Sequence, residues 1–199
     1  MNLREMVARV MRSLKSIPPG TVGYTDIVDI LNQGQRQLAV HSNKICVFET
    51  TLEGNKDIIA LPTDLLKLYS VYWKSPNGMR ELSPARGKLP IDTVVESRAE
   101  PINYYVKDGT VIVRPIPGFE GTLSVSYVPK PTEMVNDSDE PDLEGSEEYL
   151  VAFTLHRIFI EHGNPLAQVW EVEMTREQVN YIATTDQNYM TPFQSEISW

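Results

Sequence analysis

The stretch NYYVKDGTVIVR, residues 103–114, decides how the middle of this chain folds. Two runs of β-branched and aromatic residues flank Asp108-Gly109, a dipeptide that suits the left-handed backbone of a two-residue hairpin turn. The stretch therefore predicts two antiparallel strands joined by a tight turn. Tyr104 and Tyr105 point to opposite faces of such a strand, so one of them is expected in the core.

Further strand-like runs lie on both sides of this hairpin. Between residues 46 and 131 fall 9 of the 14 prolines, a density that interrupts helices and favours short strands and turns. The runs are CVFETTL (46–52), DIIALP (57–62), LKLYSVYWKS (66–75) and GTLSVSYVP (121–129). The last run alternates three apolar residues with Ser124 and Ser126, which predicts one buried and one hydrated face. We predict an antiparallel sheet or a small β-sandwich over residues 46–131.

The residues before this region have a helical period. The inward stripe of the first helix consists of Leu3, Met6, Val7, Val10 and Leu14. Pro18-Pro19-Gly20 ends this helix, and a second helix is expected to begin near Thr25. Because glycine costs about 1 kcal/mol relative to alanine inside a helix, Gly34 in the second stripe indicates close approach by a neighbouring element.

The helical period returns after an acidic stretch. Residues 132–144, TEMVNDSDEPDLE, are predicted to be a solvated linker. Ser146 then begins a helix as its N-cap, and Gly163 ends it. The contacts of the last helix are assigned to Leu166, Val169, Trp170, Val172, Met174, Val179 and Ile182. The two helical pairs flank the strands in sequence, so the simplest packing joins them in one bundle with the β-region inserted.

Residues 185–199 have no period, yet they carry large apolar side chains, which disordered ends usually lack. Those side chains are Tyr189, Met190, Phe193, Ile197 and Trp199. Such an arm either folds back on its own domain or docks into another subunit.

The fold class predicted is α+β, with a bundle of N- and C-terminal helices, an inserted antiparallel β-sheet or small sandwich and an extended C-terminal arm. The predicted divisions are 1–45 (N-terminal helices), 46–131 (β-domain), 132–144 (acidic linker), 145–184 (C-terminal helices) and 185–199 (arm).

The charge of the chain is uneven. Its formal net charge is −9, but residues 1–131 hold 16 Lys/Arg against 13 Asp/Glu, whereas residues 132–199 hold 2 against 14. An acidic surface repels phosphate, so sequence-specific nucleic-acid binding is not expected. The acidic end is a hydrated helical face, a surface for a basic partner or the lining of a passage for DNA.

No catalytic or metal-binding pattern stands out in the sequence. The three histidines, His41, His156 and His162, lack the spacing of metal ligands. Asp137, Asp139 and Asp142 suggest calcium, but the glycine of an EF-hand loop is missing and a proline intrudes. Nucleotide-binding, nucleophile-elbow and zinc-protease motifs are absent. We therefore predict no enzyme, no cofactor and no metal.

The sequence also argues against a membrane protein and against a fold that depends on disulfides. No stretch approaches the roughly 18 consecutive apolar residues of a membrane helix, so no membrane partner is expected. The single cysteine, Cys46, cannot form an intrachain disulfide, and folding in a cytoplasm is expected. A third class stays open, because Trp73, Tyr104 and Tyr105 are candidates for stacking on a sugar.

Several segments, in this order, resemble the head–tail adaptor or connector proteins of tailed bacteriophages, including the tail tubular A type. They are ILNQGQRQLAVHSN (30–43), IALPTDLLKLYSVYWK (59–74), INYYVKDGTVIVRPIP (102–117), YVPKP (127–131) and EEYLVAFTLHRIFIEHG (147–163). The likeness covers roughly residues 20–185. It implies a structural virion protein at the head–tail interface, assembled in the host cytoplasm.

The resemblance also implies partners. Such adaptors form a dodecameric ring on the portal, extend the DNA channel and carry tail, nozzle or tail-completion proteins, while the genome passes without sequence-specific binding. By this analogy, the contacts to portal or neighbouring subunit are Tyr189, Phe193, Ile197 and Trp199. The acidic channel or partner-facing surface is assigned to Glu171, Glu173 and Glu177. The alternative is a tail or baseplate module whose β-sandwich binds carbohydrate or protein.

Overall fold

The computed structural model describes residues 1–42, 44–85 and 99–189, with side chains described as far as Thr185. The chain divides into two compact units, which we call the helical unit (Met1–Asn43 with Lys130–Trp199) and the β-unit (Lys44–Pro129). The described part of the helical unit contains α1 (Leu3–Ser13), α2 (Tyr24–Ala39), α3 (Glu147–Glu161) and α4 (Ala167–Tyr189).

The β-unit consists of two sheets. Its strands are β1 (Cys46–Leu52), β2 (Ile58–Ala60), β3 (Leu65–Ser75), β4 (Gly78–Glu81), β5 (Ser83–Pro84), β6 (Asn103–Lys107), β7 (Thr110–Arg114) and β8 (Gly121–Pro129). One sheet has the order β1-β8-β3-β4 and the other β2-β7-β6-β5. Pairing among described strands is antiparallel except between β5 and β6, which are parallel. The predicted α+β class is confirmed.

The hairpin on which the sequence prediction rests is formed as expected. Lys107 pairs with Thr110, which leaves Asp108 and Gly109 as the two turn residues. Their φ angles are 48° and 73°, the left-handed values that a tight turn of this kind requires. Tyr104 is the tyrosine that enters the core, as its exposed fraction is 8%.

The two sheets share one hydrophobic core, which makes the β-unit a small sandwich. The buried cluster consists of Leu52, Val71, Trp73, Leu82, Tyr104, Val111, Val113, Leu123 and Val125. Trp73 is its largest member and is only 1% exposed. Because both sheets supply residues to this cluster, neither sheet buries its inner face without the other.

The hydrated face predicted for β8 is wrong at Ser124, which is only 5% exposed. The Ser124 hydroxyl donates a hydrogen bond to Glu49 Oε1 at 3.2 Å. Lys74 also donates to that carboxylate. The long side chains of two neighbouring strands therefore cover the small serine, an effect that alternation along one strand cannot reveal.

Helix α3 is the centre of the helical unit and packs against α1, α2 and α4. Gly34 of α2 lies where α3 comes closest. A Cβ atom at this position would lie 2.8 Å from Phe153 Cδ1 and 3.2 Å from Leu150 Cδ2. The close approach predicted for this glycine is confirmed.

Helix α4 is longer than the sequence indicated. It continues to Tyr189, so the first residues assigned to the arm, 185–189, are helical. The rest of the predicted extended arm, residues 190–199, lies outside the described residues.

Candidate interaction surfaces

The acidic segment 132–144 is not a solvated linker, because buried amides of α2 bind its backbone. Asn32 donates to Met134 O at 3.0 Å and accepts from Met134 N at 2.9 Å. Gln35 donates to Thr132 O at 3.1 Å and accepts from Asp142 N at 2.7 Å. The Asp142 carboxylate in turn accepts the Thr132 amide at 2.7 Å. Met134 is only 2% exposed. The segment is therefore fixed to the bundle along its length.

The other aspartates of this segment are engaged within the unit. Asp137 Oδ1 accepts the Tyr24 hydroxyl at 2.6 Å. Asp139 Oδ2 accepts the backbone amides of residues 135 and 136, both at 2.8 Å. No cluster of His, Cys, Asp or Glu able to hold a metal occurs among the described residues. The carboxylates that suggested calcium are thus partners of the protein's own donors.

Replacing Asp139 by asparagine is expected to make the stability of the fold less dependent on pH in the acidic range. The amides of Asn136 and Val135 hold the pKa of Asp139 below its usual range. The ionised carboxylate therefore stabilises the fold above about pH 4, and this contribution is lost as the pH falls through the folded-state pKa. Asp139→Asn should lower the melting temperature at pH 7, and the loss should become smaller as the pH falls below about 4. Asp29→Asn, at an exposed position of α2, controls for loss of charge, and an equal loss in both variants would contradict the assignment.

The three glutamates predicted for an acidic surface on α4 do not form one unpaired group. Glu171 is exposed. Glu173 and Glu177 flank Arg176, whose Nη2 lies 2.8 Å from Glu177 Oε1 and also pairs with Glu173. One guanidinium thus offsets part of the charge of two carboxylates. That these residues line a channel or meet a partner stays a prediction.

Helix α4 exposes an apolar stripe. Leu166, Val169, Val172 and Val179 are 41%, 61%, 70% and 60% exposed. The sequence prediction that these four residues make contacts within the fold is wrong, because their side chains are exposed. A helical period shows where apolar residues recur, but it does not show what covers them. At about 100° per residue, the three valines fall within an arc of about 80°. This unpartnered face, which we call the α4 stripe, is typical of a protein–protein contact.

A cleft of about 560 Å³ lies between α2, α3 and α4. Two guanidinium groups and two imidazoles line it, those of Arg36, Arg157, His41 and His156. Tyr149 and Phe153 add stacked rings with centroids 5.9 Å apart. Burial raises the pKa of Tyr149 to about 12, so its hydroxyl stays protonated at neutral pH. The two rings are only 3% and 5% exposed, and the two arginines pair with Glu133 and Glu161, so mainly polar side chains form the surface of the cleft.

Of the four residues predicted as anchors, Tyr189 is the last residue of α4. Phe193, Ile197 and Trp199 lie outside the described residues, so their role stays a prediction. The rings proposed to stack on a sugar do not share a surface, because Trp73 and Tyr104 are 1% and 8% exposed in the sandwich core.

The exposed α4 stripe is typical of a protein that contacts other chains. The chain matches the family model described as SU10 adaptor protein over residues 1–195, and it belongs to that family. No curated protein matches the chain. Membership indicates a phage adaptor, a virion component rather than an enzyme, and implies interaction with portal and tail proteins. None of the described helices has both the length and the apolar character needed to cross a membrane.

Proposed function

We propose that this chain is the head-to-tail adaptor subunit of a tailed phage. Copies form a dodecameric ring that docks on the portal, extends the DNA channel and provides the platform to which the tail, nozzle or tail-completion protein attaches. The observation that carries the proposal is the family match, which covers residues 1–195 and so includes both units. We also propose that the chain is an adaptor of the tail tubular A type, which its sequence segments resemble.

The α4 stripe supports assembly into a ring. A closed ring of identical subunits needs two different surfaces on each copy, one complementary to the other. Val169, Val172 and Val179 leave a row of apolar side chains in water. Covering them with a neighbouring chain removes this surface from water at a gain of about 25 cal/mol per Å². The stripe is thus a candidate for one of the two surfaces.

The charge of the helical unit supports a place beside DNA. Its residues, 1–43 and 130–199, hold 8 Lys/Arg against 17 Asp/Glu. A channel with this charge repels the phosphate backbone, so the genome slides without adhering. Glu171 is the strongest candidate for the lining, since Arg176 engages Glu173 and Glu177.

The test is electron microscopy of the chain mixed with the portal of the same phage. We expect a twelve-fold ring of adaptor on the portal. Val172→Asp should reduce ring occupancy about tenfold or more, because it places a charge in a desolvated interface. Thr184→Asp, exposed on another face of α4, is the matched control. A chain that binds glycans and ignores the portal would overturn the proposal in favour of a tail or baseplate binding module.

A further inference from the structure

We propose that residues 190–199 cover the α4 stripe of their own chain in the free subunit and leave it when the portal is present. The contact is autoinhibitory, because it hides the surface through which copies are proposed to meet. It deepens the proposed function, on which it rests, since it explains how ring formation is restricted to the portal.

The stripe is the face of α4 that the described part of the helical unit leaves exposed. Val169, Val172 and Val179 are 61%, 70% and 60% exposed. The opposite side of the helix is covered, since Tyr181 is only 7% exposed. A free subunit therefore gains from any apolar segment that reaches this row and removes it from water.

Residues 190–199, MTPFQSEISW, have the composition of a segment that covers such a row. They contain no lysine or arginine and a single acidic residue, Glu196. Their large apolar residues are Met190, Phe193, Ile197 and Trp199. Each of the two aromatic side chains buries about 150–250 Å² when it is covered. The segment and the stripe can therefore remove each other's apolar surface from water.

The reach of the segment matches the position of the stripe. Helix α4 ends at Tyr189, and at 1.5 Å per residue Val179 and Val172 lie about 15 Å and 26 Å back along its axis. At about 3.6 Å per residue, an extended chain carries Ile197 up to about 29 Å and Trp199 up to about 36 Å from Tyr189. Ile197 can thus lie beside Val179 and Trp199 beside Val172, with roughly 10 Å left for the reversal of the chain.

Tethering favours the stripe of the same chain over that of another copy. Pro192 disfavours helical backbone at Thr191, so α4 is not expected to carry the segment farther away from the stripe. A short connection gives the segment an effective concentration in the millimolar range. Free subunits in dilute solution do not offer one another a surface at that concentration, so the contact within one chain forms first.

The segment and a neighbouring subunit exclude each other at the stripe, because one face cannot be covered twice. While the segment lies on Val172, copies cannot meet through this surface. When the portal binds the segment, as proposed for its apolar residues, the stripe becomes free for a neighbour. The apparent affinity between copies scales with the fraction of subunits whose stripe is open. Ring closure is thereby linked to the portal.

Cross-linking of the free chain tests the contact. In a full-length Cys46→Ser background, Val172→Cys places one thiol in the stripe and Ser198→Cys places one beside Trp199. A short bismaleimide is expected to join them within one chain, which peptide mapping by mass spectrometry identifies, at a yield that does not change on dilution. The matched control replaces Val172→Cys with Met174→Cys, which lines the cleft about 160° away around α4, and should lose the product.

Loss of the apolar side chains of the segment is expected to let free copies associate. The variant replaces three residues by alanine: Phe193, Ile197 and Trp199. Without portal, its self-association should be about tenfold stronger, as for a stripe that is open about one tenth of the time in the full chain. Sedimentation velocity measures this change, and Val172→Asp in the same background should restore the monomer. The control, which should behave as the full chain, replaces Thr191, Gln194 and Ser195 by alanine.

The outcomes separate this contact from the proposed function. A product that is absent, that joins two chains or that is equally strong with Met174→Cys would overturn the contact, while the adaptor assignment stands. An alanine variant that associates no more than the full chain would overturn the inhibition. So would an intrachain product that persists undiminished in rings formed on the portal. If no ring forms on the portal, the adaptor assignment fails, and the cross-link in the free chain still decides whether the segment covers the stripe.

Discussion

A chain shortened to end at Thr185 is expected to fold but no longer to join the portal. Tyr181, which is 7% exposed, is the last buried hydrophobic residue among those described, so the core of the helical unit stays complete. The deletion removes Tyr189 and the apolar residues that follow it, which we propose as contacts with portal or neighbour. Thermal unfolding should show a melting temperature close to that of the full chain, while co-sedimentation with portal should fall to background.

Full-length variants show whether portal binding depends on the apolar side chains of the segment or only on its length. Replacing Phe193, Ile197 and Trp199 together by alanine should reproduce the loss of portal binding, because large aromatic side chains contribute much of the free energy of such contacts. Replacing Thr191, Gln194 and Ser195 by alanine keeps the length and the apolar residues, and should leave binding intact. Unchanged affinity in the shortened chain would show that the segment is not an anchor.

Local rules predicted the features that a few adjacent residues determine. The turn at Asp108-Gly109 follows from the left-handed backbone that a two-residue hairpin imposes, whatever surrounds it. Gly34 indicated the contact of α2 with α3 because a glycine inside a helix has a cost that close packing offsets. The alternation of strand and helix periods was enough to predict an α+β molecule.

Features made by residues far apart in the chain were not predictable in this way. The polar composition of the acidic segment predicts a solvated linker, but Asn32 and Gln35, about a hundred residues earlier, bind its backbone. The cleft unites α2 with α3 and α4, so Arg36 and Arg157 have no sequence pattern in common. The sequence contained only an indirect indication of these contacts: Asn32 and Gln35 lie one turn apart on α2, and amide side chains that are buried need hydrogen-bond partners.

Replacing Gly121 by alanine is expected to cause a large loss of stability in the β-unit. A Cβ atom at Gly121 would lie 2.2 Å from Trp73 Cζ2 and 2.5 Å from Cη2. The indole cannot move aside easily, because it is 1% exposed within the shared core of both sheets. Overpacking of this kind typically costs about 1–3 kcal/mol. The lower entropy of the unfolded chain with alanine offsets about 0.4–1 kcal/mol of this.

A double-mutant cycle tests whether the clash with Trp73 is the cause. Phenylalanine at position 73 is smaller than tryptophan and lacks the buried, unpartnered Nε1–H. In the Trp73→Phe background, Gly121→Ala should therefore cost less free energy of unfolding, with a coupling of about 0.5–3 kcal/mol. Gly54→Ala is the control, since its nearest neighbour, Phe119 Cα, would lie at an ordinary 3.5 Å. If urea unfolding gives the same cost in both backgrounds, the clash of the added Cβ with the indole is not the cause of the loss.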